Sequence, residues 1–447
     1  PKAVRPGARS YPLEADFGST RQVFHLGAGS LATPGCVAGL LRLHGDFGRL
    51  PVHACAEPAR HHSREGVAIT SHAATLLEVV AALYRATPES RQLFGRPGGS
   101  SSLLREGDVF RNPEFEGFLD QLVAEGARWF YEGDIARVVD GFCRDQGGHL
   151  RREDFEAYRV HIREPLELDH RGCRIWLNPP PSVGGTLIAL GLASRDPGTL
   201  ADYPFSGDKS WREWIEPLRL MSRLRSPEKA EPEDARLLET ALQRAPGLWQ
   251  AIQAVLPGAL PLLRANGTTQ LSVIDRDANV VSLTTSNGAG SAVIAPGTGF
   301  MLNNMLGEED LLPDGLGSWI PDVRLSSMMA PTLVRPPQGG WIALGSGGSN
   351  RIRSTVLQLL RHLTEGGLDL EAAVLAPRLH WENGQIHAET DAWERLRAVL
   401  PEAAPALVPH PVPNLFFGGA HSATLHADGR REAHGDPRRG GVARSVP

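Results

Sequence analysis

NGTTQLSVIDRDANVVSLTTSN, residues 266–287, is the stretch on which the fold turns. TTQLSVID alternates from side to side, DRDAN is turn chemistry, and VVSLTTSN is a second run rich in β-branched residues. Together they predict a β-hairpin whose first strand begins at Thr268.

The residues after the hairpin also read as strand-rich. WIALGSGGSNRIRSTVLQLLRHL (341–363) predicts a strand, a Gly-rich turn and a helix, with Ile352, Val356, Leu359, Leu360 and Leu363 on one helical face. The residues before it carry mainly helical periodicity. Leu76, Leu77, Val80 and Tyr84 predict one helix over Ala74 to Ala86. Ser210 and Glu213 have capping-box spacing ahead of an amphipathic body in which Pro217 should kink or restart the helix. SPEKAEPEDAR (226–236), charged and with two prolines, reads as a loop. The tail DPRRGGVARSVP is either a solvated end or a final packed strand. No fixed-period repeat is present, which argues against solenoids and propellers.

The 447 residues suffice for two or three domains by length alone, and 41% hydrophobic with 22% charged residues is ordinary globular composition. A net charge of -5 gives no electrostatic case for a nucleic-acid partner. No apolar run reaches the ~20 residues a membrane helix needs. The start, PKAVRPGARSYP, has no initiator Met and no export-signal core, so the compartment stays open. Cys36, Cys55, Cys143 and Cys173 form no C-x-x-C and are expected to be free core cysteines. The sixteen histidines show no metal spacing, so neither a metal nor a cofactor is expected.

The turn GSGGSN (345–350) lacks the Gly-Lys-Ser/Thr ending of a phosphate loop. Small residues before a helix start can still aim backbone N–H groups at one oxyanion. The plain alternative is a tight turn needing positive φ. Ser326 and Ser327 in RLSSMMAPT read alone as a capped turn. Asn303 and Asn304, followed by Glu308, Glu309 and Asp310, are either a solvated acidic loop or a carboxylate cluster for an ammonium group. No G-x-S-x-G elbow appears.

The order of these pieces is informative. The hairpin stretch, PGTGFMLNNMLGEED (296–310), RLSSMMAPTLV (324–334) and LGSGGSNRIRSTVLQ (344–358) resemble the small subunit of gamma-glutamyltranspeptidases in sequence and succession. LATPGCVAGL (31–40), FYEGDIA (130–136), EDFEAY (153–158) and NPPPSVGG (178–185) resemble landmarks of that family's large subunit.

The resemblance implies an α+β fold, the four-layer αββα sandwich of N-terminal-nucleophile hydrolases. It also implies self-cleavage between Gly267 and Thr268 into a large segment (1–267) and a small catalytic segment (268–447) that together form one αββα unit. Thr268 would then be the nucleophile, Ser286 its support, and Gly347 and Gly348 the oxyanion donors, with Ser349 the adjacent possibility. Asn287 is the nearest match to a substrate-contacting Asn. Glu308 matches the acidic residue that binds the donor ammonium, and Ser326 and Ser327 match the serines on its carboxylate. The implied partners are an amide donor such as glutathione and an acceptor, water or an amino acid or peptide. The two fragments are expected to stay associated, with a higher oligomer open.

Departures from the family pattern shape the expected chemistry. The family's F-R-E-x-A-P segment, which supplies an Arg for the donor carboxylate, has no visible match, and the family's N-terminal portion is expected to be missing. Glu308 stands where the family has Asp, and Met305 replaces a polar residue. The 21 residues between Asn304 and Ser326 leave little room for a covering lid. The expectation is therefore weak or no gamma-glutamyl turnover, with hydrolysis favoured over transfer. Two alternatives are an acylase for another amide, as in the cephalosporin-acylase-like members, and a catalytically silent binding protein on the same fold.

Overall fold

The computed structural model describes residues 1–16, 21–98, 102–195, 208–224, 232–255, 268–308, 316–399, 406–410 and 414–446. The chain divides into two compact units. One takes residues 1–162 and 287–323; the other takes 163–286 and 324–447. Neither unit follows the 267/268 division, because both draw on the two sides of it.

The first unit is mainly helical. Helices Val52–Glu65 and Pro113–Glu125 pack against each other, and Asp134–Gln146 lays Ile135, Ala136, Val139 and Cys143 into the core. Aromatic rings fill that core, with Phe118 5.0 Å from Phe300 and 6.2 Å from Phe130 between centroids. Residues 287–308 thread back into this unit, where Asn303 holds Ala32 through both its amide atoms, at 3.0 and 2.8 Å.

The second unit is built on a six-stranded antiparallel sheet. Its strand order is Arg431–His434, Gly419–Leu425, Trp341–Gly347, Thr332–Arg335, Cys173–Leu177 and Leu166–His170. Along Trp341–Gly347 the pleat sends Ile342 and Leu344 into the helix-side core with Ile352 and Val356 of helix Arg351–Thr364. Helix Val183–Ala193 is buried along its whole length in the same core. The hairpin Thr268–Ile274 with Val280–Ser286 packs on strands Trp341–Gly347 and Gly419–Leu425. The layers within this unit therefore run helix, sheet, sheet.

Several sequence expectations change here. Leu166–His170 and Cys173–Leu177 are strands within the half read as helical. The helix read over 74–86 breaks at Val80 (φ -110, ψ 30) into Ser71–Val79 and Ala81–Tyr84. Pro217 lies inside one helix, Asp208–Arg223, so it does not end it. The side chains of residues 208–212, including the Ser210 cap, lie outside the described residues. So do residues 226–231 of the supposed loop, while Pro232 already opens helix Pro232–Arg244, a position that tolerates the missing N–H. All four cysteines are free, but Cys36 and Cys55 are exposed and only Cys143 and Cys173 are core residues. In the tail, Pro437–Arg439 forms a 3-10 turn and Arg438 is buried against Glu389, with Nε to Oε1 at 2.7 Å, and against Asp436 at 3.2 Å.

A second, three-stranded sheet (Leu379–Glu382, Gln385–Glu389, Leu407–His410) buries a histidine group. His387 Nδ1 lies 3.0 Å from His410 Nε2, and both rings stack on Phe416. Burial, reinforced by neighbouring positive charge, pushes His387 down to about 3 and His410 to about 4 from an ordinary 6.5. Folded imidazoles with depressed pKa stay neutral while unfolded ones take up protons below about 6.5, so stability is lost as pH falls from there toward 4. Urea midpoints should fall steadily between pH 7.5 and 5; a flat profile would contradict neutral buried imidazoles.

Candidate active site

Thr268 opens its strand directly opposite Ser286 in the hairpin register. Its Oγ1 donates to Ser286 Oγ at 3.2 Å. The strand alternation puts Thr268, Gln270 and Ser272 on the face turned toward the six-stranded sheet, and leaves Leu271 and Val273 about half exposed on the other. This inner face is polar. Gln270 Nε2 donates to Ser272 Oγ (3.1 Å) and Ser282 Oγ (2.9 Å), and Thr284 Oγ1 donates to Gln270 Oε1 (2.5 Å). Ser282 and Ser272 then donate to the carbonyls of Leu344 and His421, both at 2.8 Å. Buried polar side chains with all partners in place rigidify a packing layer. Here they fix the hairpin, and Thr268 with it, onto the sheet.

Two glycines of that sheet make the approach possible. A Cβ at Gly345 would overlap the Gln270 amide, with Nε2 at 2.8 Å. A Cβ at Gly347 would overlap the Thr268 carbonyl oxygen and stand 3.1 Å from its carbonyl carbon. The expected Gly-rich turn is thus partly strand, which runs through Gly347; the turn proper is Gly348, Ser349 and Asn350. Gly348 has φ +124, and Ser349, with φ +53, holds a left-handed conformation uncommon outside glycine. Asn350 Nδ2 donates to buried Glu382 Oε1, tying the turn to the three-stranded sheet.

The remaining expected residues fall into two groups. Ser326 and Ser327 belong to the second unit. The Ser327 carbonyl accepts the Val183 N–H at 2.9 Å, at the start of helix Val183–Ala193. Asn287 and Glu308 belong to the first unit. There Glu308 is buried and its Oε1 accepts the Ala289 N–H at 3.0 Å, while Asn304 N–H donates to the Asn287 carbonyl at 3.2 Å and Asn304 Oδ1 accepts from Gly290 at 3.1 Å. Glu308 therefore sits in an ordered, hydrogen-bonded loop. Glu309, Asp310 and Gly267 lie outside the described residues. Among the described residues no cluster fit to hold a metal ion occurs.

Sequence reading missed the Gln270 network and Glu382. The first had a visible signal, since hydroxyl and amide residues alternate with Leu271 and Val273. Glu382 had none, because it reaches the turn only through the chain's folding.

A threonine hydroxyl thus heads a strand fixed across from a glycine-edged sheet, and the fold is that of N-terminal-nucleophile hydrolases. The chain aligns over 98% of its length, and 86% of the other, with a cephalosporin acylase from Bacillus halodurans, at TM-score 0.74 and 21% identity. The family described as Gamma-glutamyltranspeptidase matches residues 8–446, and the chain belongs to that family. It is 28% identical over 391 residues to the glutathione hydrolase proenzyme of Escherichia coli (strain K12), covering 82% of this chain and 66%, just under two thirds, of that protein. It is also 28% identical over 413 residues to the acylase ACY 1 proenzyme of Pseudomonas sp. (strain V22), covering 90% of this chain and 73% of that one.

The bond between Thr268 and Ser286 carries a modest expected effect. Ser286→Ala removes the neutral hydrogen bond to Thr268, about 0.5–1.5 kcal/mol, so kcat on any amide substrate should fall roughly 2- to 10-fold. Ser286→Thr should restore most of it. Steady-state kinetics on an anilide substrate checks both; loss of activity beyond about 1000-fold would mean Ser286 takes part in the chemistry itself.

Proposed function

We propose that this chain is an autoprocessed amidohydrolase that forms an acyl-enzyme on Thr268 from gamma-glutamyl or related amides. The observation that carries this reading is the packing of Gly347 against Thr268, with the Thr268 hydroxyl hydrogen-bonded to Ser286. A threonine hydroxyl is a weak nucleophile and needs a base. Cleavage ahead of Thr268 supplies one, the new α-amine, whose reference pKa is about 7.7–8.0. Gly347 and Gly348 are the proposed donors to the acyl oxygen, and Asn287, Glu308, Ser326 and Ser327 the proposed contacts to the donor head. A glutathione-like amide is the first substrate to test, since glutathione hydrolases stand among the relatives. A glutaryl-type side chain is the second, as a test of acylase activity, since an acylase also stands among the relatives and its alignment covers more of both chains. Hydrolysis of gamma-glutamyl-anilide and glutaryl-anilide, measured side by side on the purified chain, tests the proposal. No turnover of either by a chain shown to be folded would refute it.

A further inference from the structure

The expectation of weak or no gamma-glutamyl turnover rested on the lack of an arginine for the donor carboxylate. The second unit holds a candidate in the tail. Arg439 follows the 3-10 turn's buried Arg438 and lies along a run of glycines. A Cβ at Gly419 would stand 2.5 Å from both Cβ and Cγ of Arg439, and a Cβ at Gly348 would stand 3.2 Å from its Nη2. Glycine at these two positions leaves the room that the arginine occupies. Gly419 pairs directly with Gly347, so the two share one face of the sheet, the face on which Thr268 packs. The guanidinium therefore lies beside the Gly348 turn on the nucleophile's side.

Its charge is not balanced locally. Arg439 Nε donates to the Phe417 carbonyl at 3.2 Å, and among the described residues Nη1 and Nη2 have no protein acceptor. The carboxylate that acts on it, Asp436, is committed elsewhere. Asp436 accepts from Arg438 Nη1 at 3.2 Å, Arg378 Nη2 at 3.5 Å and the Ala420 N–H at 3.0 Å, while Glu389 takes the other side of Arg438 at 2.7 Å. Burial, then the charge of Arg351, push Arg439 down to about 9 despite Asp436. Its surface is still partly exposed. A guanidinium fixed by its Nε, with both terminal nitrogens open, presents the fork that a carboxylate fits.

We propose that Arg439 is a substrate-binding residue that receives the carboxylate carried on the acyl chain of the donor, so that the enzyme selects amides of acids bearing a second, terminal carboxylate. This rests on the reading of Thr268 and its glycine turn as the reacting site.

Two measurements on the full chain test it, with Arg439→Met keeping the packed stem and Arg439→Lys keeping the charge. Titration calorimetry with glutarate reads carboxylate binding without catalysis. Arg439→Met should weaken it about 10- to 100-fold, the loss of a charge-assisted bond, and Arg439→Lys should recover part. With the anilides, Arg439→Met should raise KM for gamma-glutamyl- and glutaryl-anilide by a similar factor and leave valeryl-anilide, which lacks the carboxylate, unchanged. Equal losses on all three anilides, or glutarate affinity within twofold of the unsubstituted chain, would overturn the assignment. If the unsubstituted chain cuts no anilide, the proposed function fails, while glutarate titration still decides the role of Arg439.

Discussion

Thr268→Ala is expected to give a single uncut chain whose amide turnover is down at least about 10⁴-fold, the scale seen when a covalent nucleophile is deleted. In the unsubstituted chain the Thr268 hydroxyl would attack the Gly267 carbonyl carbon, the amide C–N bond would break as the nitrogen gains a proton, and water would hydrolyse the resulting ester. The same oxygen would then serve every later turnover. One atom would thus account for processing and catalysis, and alanine would remove both. Thr268→Ser keeps the hydroxyl and should still cut, more slowly, because it lacks the methyl group that limits χ1. A denaturing gel separates fragments of 267 and 180 residues from the intact chain. N-terminal sequencing of the smaller fragment must begin at Thr268. A Thr268→Ala chain that still cuts at that bond would end the nucleophile assignment.

Thr268→Ala is not expected to unfold the protein. The hairpin is held by residues beyond Thr268: the Gln270 network and the pairing that runs from Thr268↔Ser286 to Ile274↔Val280. This layer also explains what the sequence made legible. Alternation and turn chemistry are local, so the hairpin and its first residue could be read directly. Which face turns inward depends on what lies across from it. Here the inner face is Gln270, Ser272, Ser282 and Thr284, and the apolar face of Leu271 and Val273 points away from the six-stranded sheet, the reverse of a simple hydrophobic-in pattern. The complementary fact is Gly345 and Gly347 on the neighbouring strand, distant in sequence.

Other losses have similar causes. The strands Leu166–His170 and Cys173–Leu177 are short and sit among helices, so helical periodicity in the flanking residues masked them. The tail read as either a solvated end or a packed strand because charged residues are seldom buried unless paired; Glu389, which pairs with Arg438, lies in a segment that only the fold brings to it. Glu308 could be marked by resemblance, but its burial and its bond to Ala289 come from the return of residues 287–290 over Asn304.

Gly347→Ala is expected to lower kcat/KM by about 10²–10³ and to slow cleavage at Thr268 in parallel. The added methyl would clash with the Thr268 carbonyl oxygen and stand 3.5 Å from the Thr268 Cβ. Neither side yields easily. Gly347 is fixed by its pairing with Gly419, and Thr268 by the hairpin register opposite Ser286. Relief has to come from shifting the strand start or the Gly348 turn, and either changes the distance between Thr268 and the proposed N–H donors. A displacement near 1 Å is enough for a loss of about 10²-fold. The clash touches backbone rather than the end of a flexible side chain, so rotamer changes offer no escape. Single-turnover rates of cleavage and steady-state rates on an anilide should fall together, while the far-ultraviolet circular dichroism stays that of the parent chain. If a folded Gly347→Ala chain cuts and turns over within about threefold of the parent, the turn does not hold the reacting group, and the site must be sought elsewhere in the second unit.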